Sequence, residues 1–430
     1  MREIFSMLVE RLFTKYLKHK NAALLKFDEF EEFRTPVPEQ GHKYLLYIHI
    51  PFCEELCPYC SFNRYKLERG VAKEYFKSLD REIGLYRDQG FNFSSVYVGG
   101  GTPTVLPDEM AQILLKLKDE FTVKEISLET NPNHLVDDVV RKMKQAGVNR
   151  LSVGVQSFDD GLLKKMERFH KYGSGEEIKN KLGDLMGTFD TLNVDMIFNF
   201  PTQTLDMLEY DLEVIRGIRA DQATFYPLMV SDVTRHELAK RFGKISYAQE
   251  KRFYDKISDV LDSDYSCGTA WCFSRKKGMI DEYVVDYDEY VGVGSGSFGY
   301  VNGACFANTF SLQDYSNLLN SGKLPLMAKK AFRIKDRVSY YLMMKLFSTS
   351  LDMDEAEKKF NGKFQSLLFK ELAALKLYGA LTQKGAKLNL TRKGRYLWVV
   401  MMREFFTGVN NFRDICRSAI DFNRLKFEGN

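Results

Sequence analysis

Cys53, Cys57 and Cys60 fall within eight residues of the stretch YIHIPFCEELCPYCSFNRY (47–65), in a chain of 430 residues that has only seven cysteines. Three thiolates spaced C-x3-C-x2-C on one loop can wrap one face of an iron–sulfur cube and leave its remaining iron open to an outside ligand. Three is one short of a closed tetrahedral zinc site and cannot pair off fully into disulfides. Two other readings use the same residues: a zinc ion completed by His49 or a distant ligand, and three unrelated buried thiols. Pro51 and Pro58 stiffen the loop, and Phe52, Tyr59 and Phe62 are placed to exclude water. Cys267, Cys272, Cys305 and Cys416 are scattered and read as buried thiols.

A second candidate is GGGTPT, Gly99 to Thr104, where side chains leave the backbone uncovered and a ligand can approach closely. It is neither the dinucleotide fingerprint nor the phosphate-cradling loop. Further along, Glu129 closes EISLET, Gln156 closes RLSVGVQ, and Asp195 lies within LNVDMIFNF. A carboxylate such as Glu129 suits an ammonium or ribose hydroxyls, and Arg168 suits a carboxylate through a bidentate fork. Asp195 would serve equally as a structural acceptor, and Arg168, on a predicted helix, as a solvated surface charge.

These groups need elements to position them. Short β-branched and aromatic runs, YLLYIHI, SSVYVGG, EISLET, RLSVGVQ, LNVDMIFNF and ATFYPLMV, alternate with longer helical patterns between residues 43 and about 230. Such alternation predicts βαβ units and a parallel sheet, and six units make a barrel or an incomplete one. The candidate polar groups then gather at the C-terminal ends of the strands, where barrels keep their chemistry. After about residue 300 the rhythm gives way to three helical patterns and one short strand, KLNLT, resembling a small winged-helix unit. The predicted architecture is α/β: an N-terminal helical extension (1–42), a partial (β/α)6 barrel (43–300), and a mostly helical, winged-helix-like C-terminal domain (301–430).

Composition bounds the rest. The chain is 44% hydrophobic and 28% charged with a formal net charge of +4, too balanced to indicate nucleic-acid binding. No run approaches the roughly eighteen apolar residues of a membrane span, and the amphipathic start, MREIFSMLVERLFTKYLKHK, lacks the pattern of a secretory signal. The expected location is the reducing cytoplasm.

The cysteine loop after the first strand and GGGTPT after the second resemble the radical S-adenosylmethionine (SAM) enzymes. More narrowly, YIHIPFC, GGGTPT, RLSVGVQSF, DMIFNFPTQT and GVGSGSFGY follow, in order, blocks of the oxygen-independent coproporphyrinogen III oxidase family and its relatives. The resemblance implies that Cys53, Cys57 and Cys60 ligate a 4Fe–4S cluster whose open iron takes the amino and carboxylate groups of SAM. It places Tyr47, Gly100, Gly101, Thr102 and Glu129 against this cofactor, Tyr47 and Glu129 as the catalytic pair, with Phe298 as an apolar contact. Tyr59, Gln156, Arg168, Asp195 and Met229 match positions that hold a second SAM in the oxidase. The implied activity is reductive cleavage of SAM to a 5′-deoxyadenosyl radical, with electrons from an unidentified donor and a tetrapyrrole, porphyrin or haem, as substrate. A radical C-methyltransferase of the same branch and a non-enzymatic haem-transfer protein are the alternatives. Tyr226, Met229, Trp271, Phe273, Phe298 and Tyr300, with Arg235 and Arg275 as carboxylate partners, are the candidate tetrapyrrole wall.

Two departures bear on the reaction. The oxidase has a fourth cysteine two positions after the third, where this chain has Phe62, which argues for a reaction other than propionate decarboxylation. The haem-chaperone branch has a His-Asn-x-x-Tyr-Trp motif where this chain reads CFSRKKGMIDEYVVDYDEYVGVG, without histidine.

Overall fold

The structure, a computed structural model, describes residues 35–275 and 287–427. The predicted N-terminal helix, within residues 1–34, lies outside the described residues, as does the 276–286 part of the segment that departs from the haem-chaperone pattern.

Six parallel strands lie side by side in chain order: β1 (Tyr44–Ile50), β2 (Phe93–Gly100), β3 (Glu125–Thr130), β4 (Arg150–Gln156), β5 (Thr191–Phe198) and β6 (Gln222–Pro227). They coincide with the six predicted runs. Connecting helices include α1 (Arg69–Asp88), α2 (Pro107–Glu120), α3 (Asp137–Gln145), α4 (Gly175–Asp184) and α5 (Leu205–Ile218). Local chemistry sets their ends. Helix α4 begins at a capping box, where Ser174 Oγ accepts from Glu177 N and the Glu177 carboxylate accepts from Ser174 N.

Side chains sort by strand period. On β1, Tyr44, Leu46, Ile48 and Ile50 join the large apolar core with α1 and α2, while Leu45 and Tyr47 turn the other way, toward Tyr97, Tyr290 and Tyr300. That second face is the barrel interior, and from β3 onward it is polar: Ser127 and Glu129, Arg150 and Ser152, Asn193 and Asp195, Gln222 and Thr224 sit at paired register positions.

The sheet continues beyond the six strands. β7 (Cys272–Ser274) pairs antiparallel with β6, and β8 (Tyr290–Val293) pairs parallel with β1. β9 (Phe298–Val301), β10 (Ala304–Asn308) and β11 (Leu326–Ala331) extend that edge antiparallel. The pattern after residue 300 predicts no strand there. These strands are short and interrupted by Gly, Cys, Asn and Lys, so they show little alternation, and their pairing comes from the neighbouring edge.

The C-terminal region packs helices α6 (Ile334–Phe347), α7 (Met353–Lys359) and α8 (Phe364–Leu377) with a three-stranded antiparallel sheet, β12 (Ser350–Asp352), β14 (Lys387–Leu390), β13 (Leu381–Lys384), the winged-helix-like unit expected. Helix α9 (Arg392–Phe427) then runs back to the barrel, where Asn410 Nδ2 donates to Met229 O (3.1 Å) and Arg417 Nη1 to Phe62 O (3.3 Å). No helix among the described residues is long and apolar enough to cross a membrane.

Candidate functional site

The cysteine loop leaves the C-terminal end of β1 and is strapped to the GGGTPT loop leaving β2. Gly101 N donates to Ile50 O and Thr102 N to Phe52 O, each at 2.7 Å. The three glycines are there because side chains would not fit. A Cβ on Gly99 would meet the Glu129 carboxylate at 2.7–2.9 Å, one on Gly101 would meet Phe52 O at 2.5 Å and Cys53 Sγ at 3.0 Å, and Gly100 has φ +114°.

All three cysteines are free. The Cys53 thiol is pushed up to about 12 by burial and by its neighbours Cys60 and Cys57, so the three thiols share one electrostatic environment. Among the described residues no three His, Cys, Asp or Glu side chains converge on a single ion. His49 is not placed to complete a zinc site. It is fully buried with Nδ1 2.8 Å from Tyr47 Oη and Nε2 2.9 Å from Asn63 O. Burial lowers its pKa to about 4. Both ring nitrogens are committed, so His49 is the structural group of β1.

A polar belt surrounds the loop. Asn131, just past β3, donates through Nδ2 to Thr102 Oγ1 (2.7 Å), and its Oδ1 accepts from Arg168 Nη2 (3.3 Å). Arg168 also donates to the Gly154 carbonyl, and its Nη1 lies 3.3 Å from Tyr59 Oη and 3.6 Å from Cys57 Sγ, with the guanidinium over the Tyr172 ring. The reading of Arg168 as a solvated helical charge does not hold: it is 4% exposed and caps the short turn Phe169–Tyr172. Glu129 accepts from Tyr97 Oη (2.8 Å) and Gly100 N (3.1 Å), which fixes its carboxylate beside the glycines. Tyr47 lies across from Tyr97 on the same face.

Gln156 ends β4 with φ +77°, a left-handed conformation that costs energy for a residue with a side chain and recurs at functional sites. Asp195 accepts from Ser152 Oγ and Asn193 Nδ2, both at 2.7 Å, within the barrel interior. Met229 and Phe298 lie on the rim, Met229 under Asn410 and Phe298 beside Phe310, Phe412 and the Arg413 guanidinium.

Much of the predicted tetrapyrrole wall is ordinary core. Trp271 is 1% exposed against Phe347 and Phe406, Phe273 packs on Phe225, and Tyr300 packs on Phe332 and Tyr340. Arg275 follows β7 beside Asp221 and donates to Arg219 O, at the end of the sheet opposite the cysteines. Arg235 pairs with Asp232 at 3.0 Å. Tyr226, Met229 and Phe298 remain as rim candidates.

Residues not anticipated include Asn131, the interior set Arg150, Ser152, Asn193 and Thr224, and Arg413. The interior set has a visible signal, since Arg150 and Ser152, Asn193 and Asp195, and Gln222 and Thr224 each stand two residues apart within their strands. His134 lies 2.6 Å from Thr104 Oγ1 and 3.4 Å from Glu54 Oε2, linking the glycine and cysteine loops.

Residues 47–215 match the radical SAM superfamily. Over 368 residues the chain is 27% identical to heme chaperone HemW of Bacillus subtilis, covering 82% of this chain and 96% of that protein. It is 28% identical over 300 residues to anaerobilin synthase of Escherichia coli O157:H7, covering 66% and 67%. The fold is that of coproporphyrinogen III oxidase from Escherichia coli, with a TM-score of 0.72, 22% identity, and 88% of this chain and 95% of that chain covered. Residues 47–215 thus match a radical SAM domain, a type that works with a 4Fe–4S cluster and SAM. Within that superfamily the chain resembles the oxygen-independent coproporphyrinogen III oxidase family with its haem-related relatives.

Proposed function

We propose that this protein is a radical SAM enzyme acting on a tetrapyrrole held over the C-terminal end of its barrel. The observation that carries the reading is the convergence, at that end, of three unpaired cysteines with a belt of Thr102, Asn131, Arg168 and Glu129. Cys53, Cys57 and Cys60 hold the cluster, which when reduced supplies the electron that cleaves SAM. Glu129, already oriented by Tyr97 and Gly100 N, is available to a ribose or an ammonium. Arg168 keeps a buried Nε without a hydrogen-bond partner, which suits an incoming carboxylate. Gln156, Asp195 and Met229 extend the binding surface from the strand ends toward a second SAM. The phenol of Tyr59 is pushed well above its ordinary value by burial and remains a neutral wall of the site.

A second reading, haem transfer without turnover, is favoured by one observation: the relative matched over 96% of its length is called a heme chaperone. Anaerobic reconstitution with iron, sulfide, SAM and dithionite in the presence of haem or coproporphyrin, followed by mass spectrometry, separates the two. The enzyme reading expects 5′-deoxyadenosine and a modified tetrapyrrole or a transferred methyl group. Haem retained unchanged, with no SAM cleavage, would leave the transfer reading.

A further inference from the structure

Arg64 stands four residues past Cys60, outside the site residues named so far. Its Nη2 donates to the carbonyls of Cys57 (2.7 Å) and Cys60 (2.8 Å), and its Nε to that of Cys60 (3.2 Å). The guanidinium is therefore bound to the turn that Cys60 N closes onto Cys57 O. Nη1 is buried and has no hydrogen-bond partner. Among the described residues no carboxylate pairs with Arg64, so its charge is not neutralised locally. Buried donors without acceptors are uncommon and call for a partner. Here the nearest chemistry is the three-cysteine loop itself.

We infer that Arg64 is a positioning residue that sets the reduction potential of the cluster, its guanidinium stabilising the reduced state against the cysteine loop. The inference rests on the cluster reading above. Reduction adds one electron, and so one negative charge, to a site that already carries three thiolates. A fixed cation favours the more negative state, and charge and hydrogen bonding around the sulfurs are established levers on such potentials. No proton needs to move, and the electron comes from dithionite in the test and from a low-potential donor in use.

The test is a potentiometric titration of the anaerobically reconstituted full chain, followed by electron paramagnetic resonance of the reduced cluster, with iron and sulfide content measured beside it. Arg64→Gln is expected to keep its iron while the reduced-to-oxidised ratio at a fixed potential falls about tenfold, which is about 59 mV for a one-electron couple. Arg64→Lys, which keeps the charge but not the fork, should lie between the two. A fully loaded Arg64→Gln protein with the wild-type midpoint would overturn the inference. If Arg64→Gln holds no cluster, Arg64→Lys decides: a loaded protein with a midpoint below wild type upholds the role, and a wild-type midpoint or an empty site overturns it. A wild-type chain that assembles no 4Fe–4S cluster would overturn both this role and the reading it rests on.

Discussion

At Cys53, burial and two neighbouring thiols favour the protonated form, so binding of the proposed cluster would displace protons from this loop. Each cysteine of the trio is then individually needed. Cys53→Ala, Cys57→Ala and Cys60→Ala are expected to lose the cluster, measured as iron per chain and visible absorption. Cys272→Ala and Cys416→Ala, buried thiols outside the three-cysteine motif, should leave iron unchanged; full iron loading of the Cys57→Ala protein would refute the ligand assignment. Arg168 has a different role. Its two terminal nitrogens are held by Tyr59, Asn131 and Gly154, and its Nε is the one left to offer. Loss of one charge-assisted hydrogen bond costs about 1.5–3 kcal/mol. Arg168→Lys should therefore weaken a second SAM by roughly ten- to a hundredfold while the first changes little, as read by equilibrium dialysis. A single SAM per wild-type chain would contradict this. The cysteine loop was legible as a candidate site from its spacing, and its reading as a cluster site came with the family blocks around it. Arg168 was legible only through family likeness, because its burial depends on strands and turns distant in sequence.

The elements hold these residues through buried polar contacts that no local pattern displays. Helix α1 reads as an amphipathic helix, yet it buries Glu82, which accepts from Gly294 N (2.8 Å), Asn308 Nδ2 (2.6 Å) and Tyr315 Oη (2.6 Å). One carboxyl thus fixes the turn before β9 that carries Phe298. Tyr75, two turns earlier on α1, donates to His49 O and accepts from Ser295 N, joining the same turn to β1. Burial pushes the Glu82 carboxyl up to about 7, against an ordinary 4.5. Between those values the folded chain keeps a proton that the unfolded chain has lost, so this group's contribution to stability declines as pH rises through the window. The full effect is at most on the order of 3 kcal/mol. Glu82→Gln does not titrate. The wild-type stability, relative to that variant, is therefore expected to fall between about pH 4.5 and 7 in chemical denaturation, and a flat difference would show that Glu82 ionises normally. The six barrel strands were readable because each is a compact β-branched or aromatic run between clear breaks. β9 to β11 were not, because edge strands of four to six residues draw their pairing from the neighbouring strand more than from their own pattern.

For the whole molecule, the arrangement to explain is a barrel mouth crossed by a helix from the far end of the chain. Helix α9 brings Asn410 to Met229 O, Arg417 to Phe62 O, and the 7%-exposed Arg413 between the rings of Phe62 (4.8 Å) and Phe298 (5.6 Å). Phe62 occupies the position of the oxidase's fourth cysteine, so in this chain an aromatic ring against an arginine replaces a reactive thiol beside the cluster loop. Neither the helix nor its target announces this contact in sequence, since a long amphipathic helix shows which face is apolar but not what covers it. A flat, largely apolar ligand with carboxylates on its rim suits a mouth of this composition: Tyr226, Met229, Phe298 and Phe62 offer surface, and Arg413 offers charge. The same composition lacks the thiol expected of propionate decarboxylation. The protein is therefore expected to bind haem or coproporphyrin, seen as a shift of the intense porphyrin absorption band on titration. It is also expected to fail to restore haem synthesis in a strain without coproporphyrinogen oxidases. Phe62→Ala should weaken the porphyrin shift without lowering iron content, because Phe62 is 42% exposed and touches none of the cluster-loop hydrogen bonds through its side chain. A wild-type protein that shifts neither haem nor coproporphyrin would remove the tetrapyrrole and leave a radical SAM protein with another substrate. Full restoration of haem synthesis would instead show that the oxidase reaction proceeds with phenylalanine where the fourth cysteine stands.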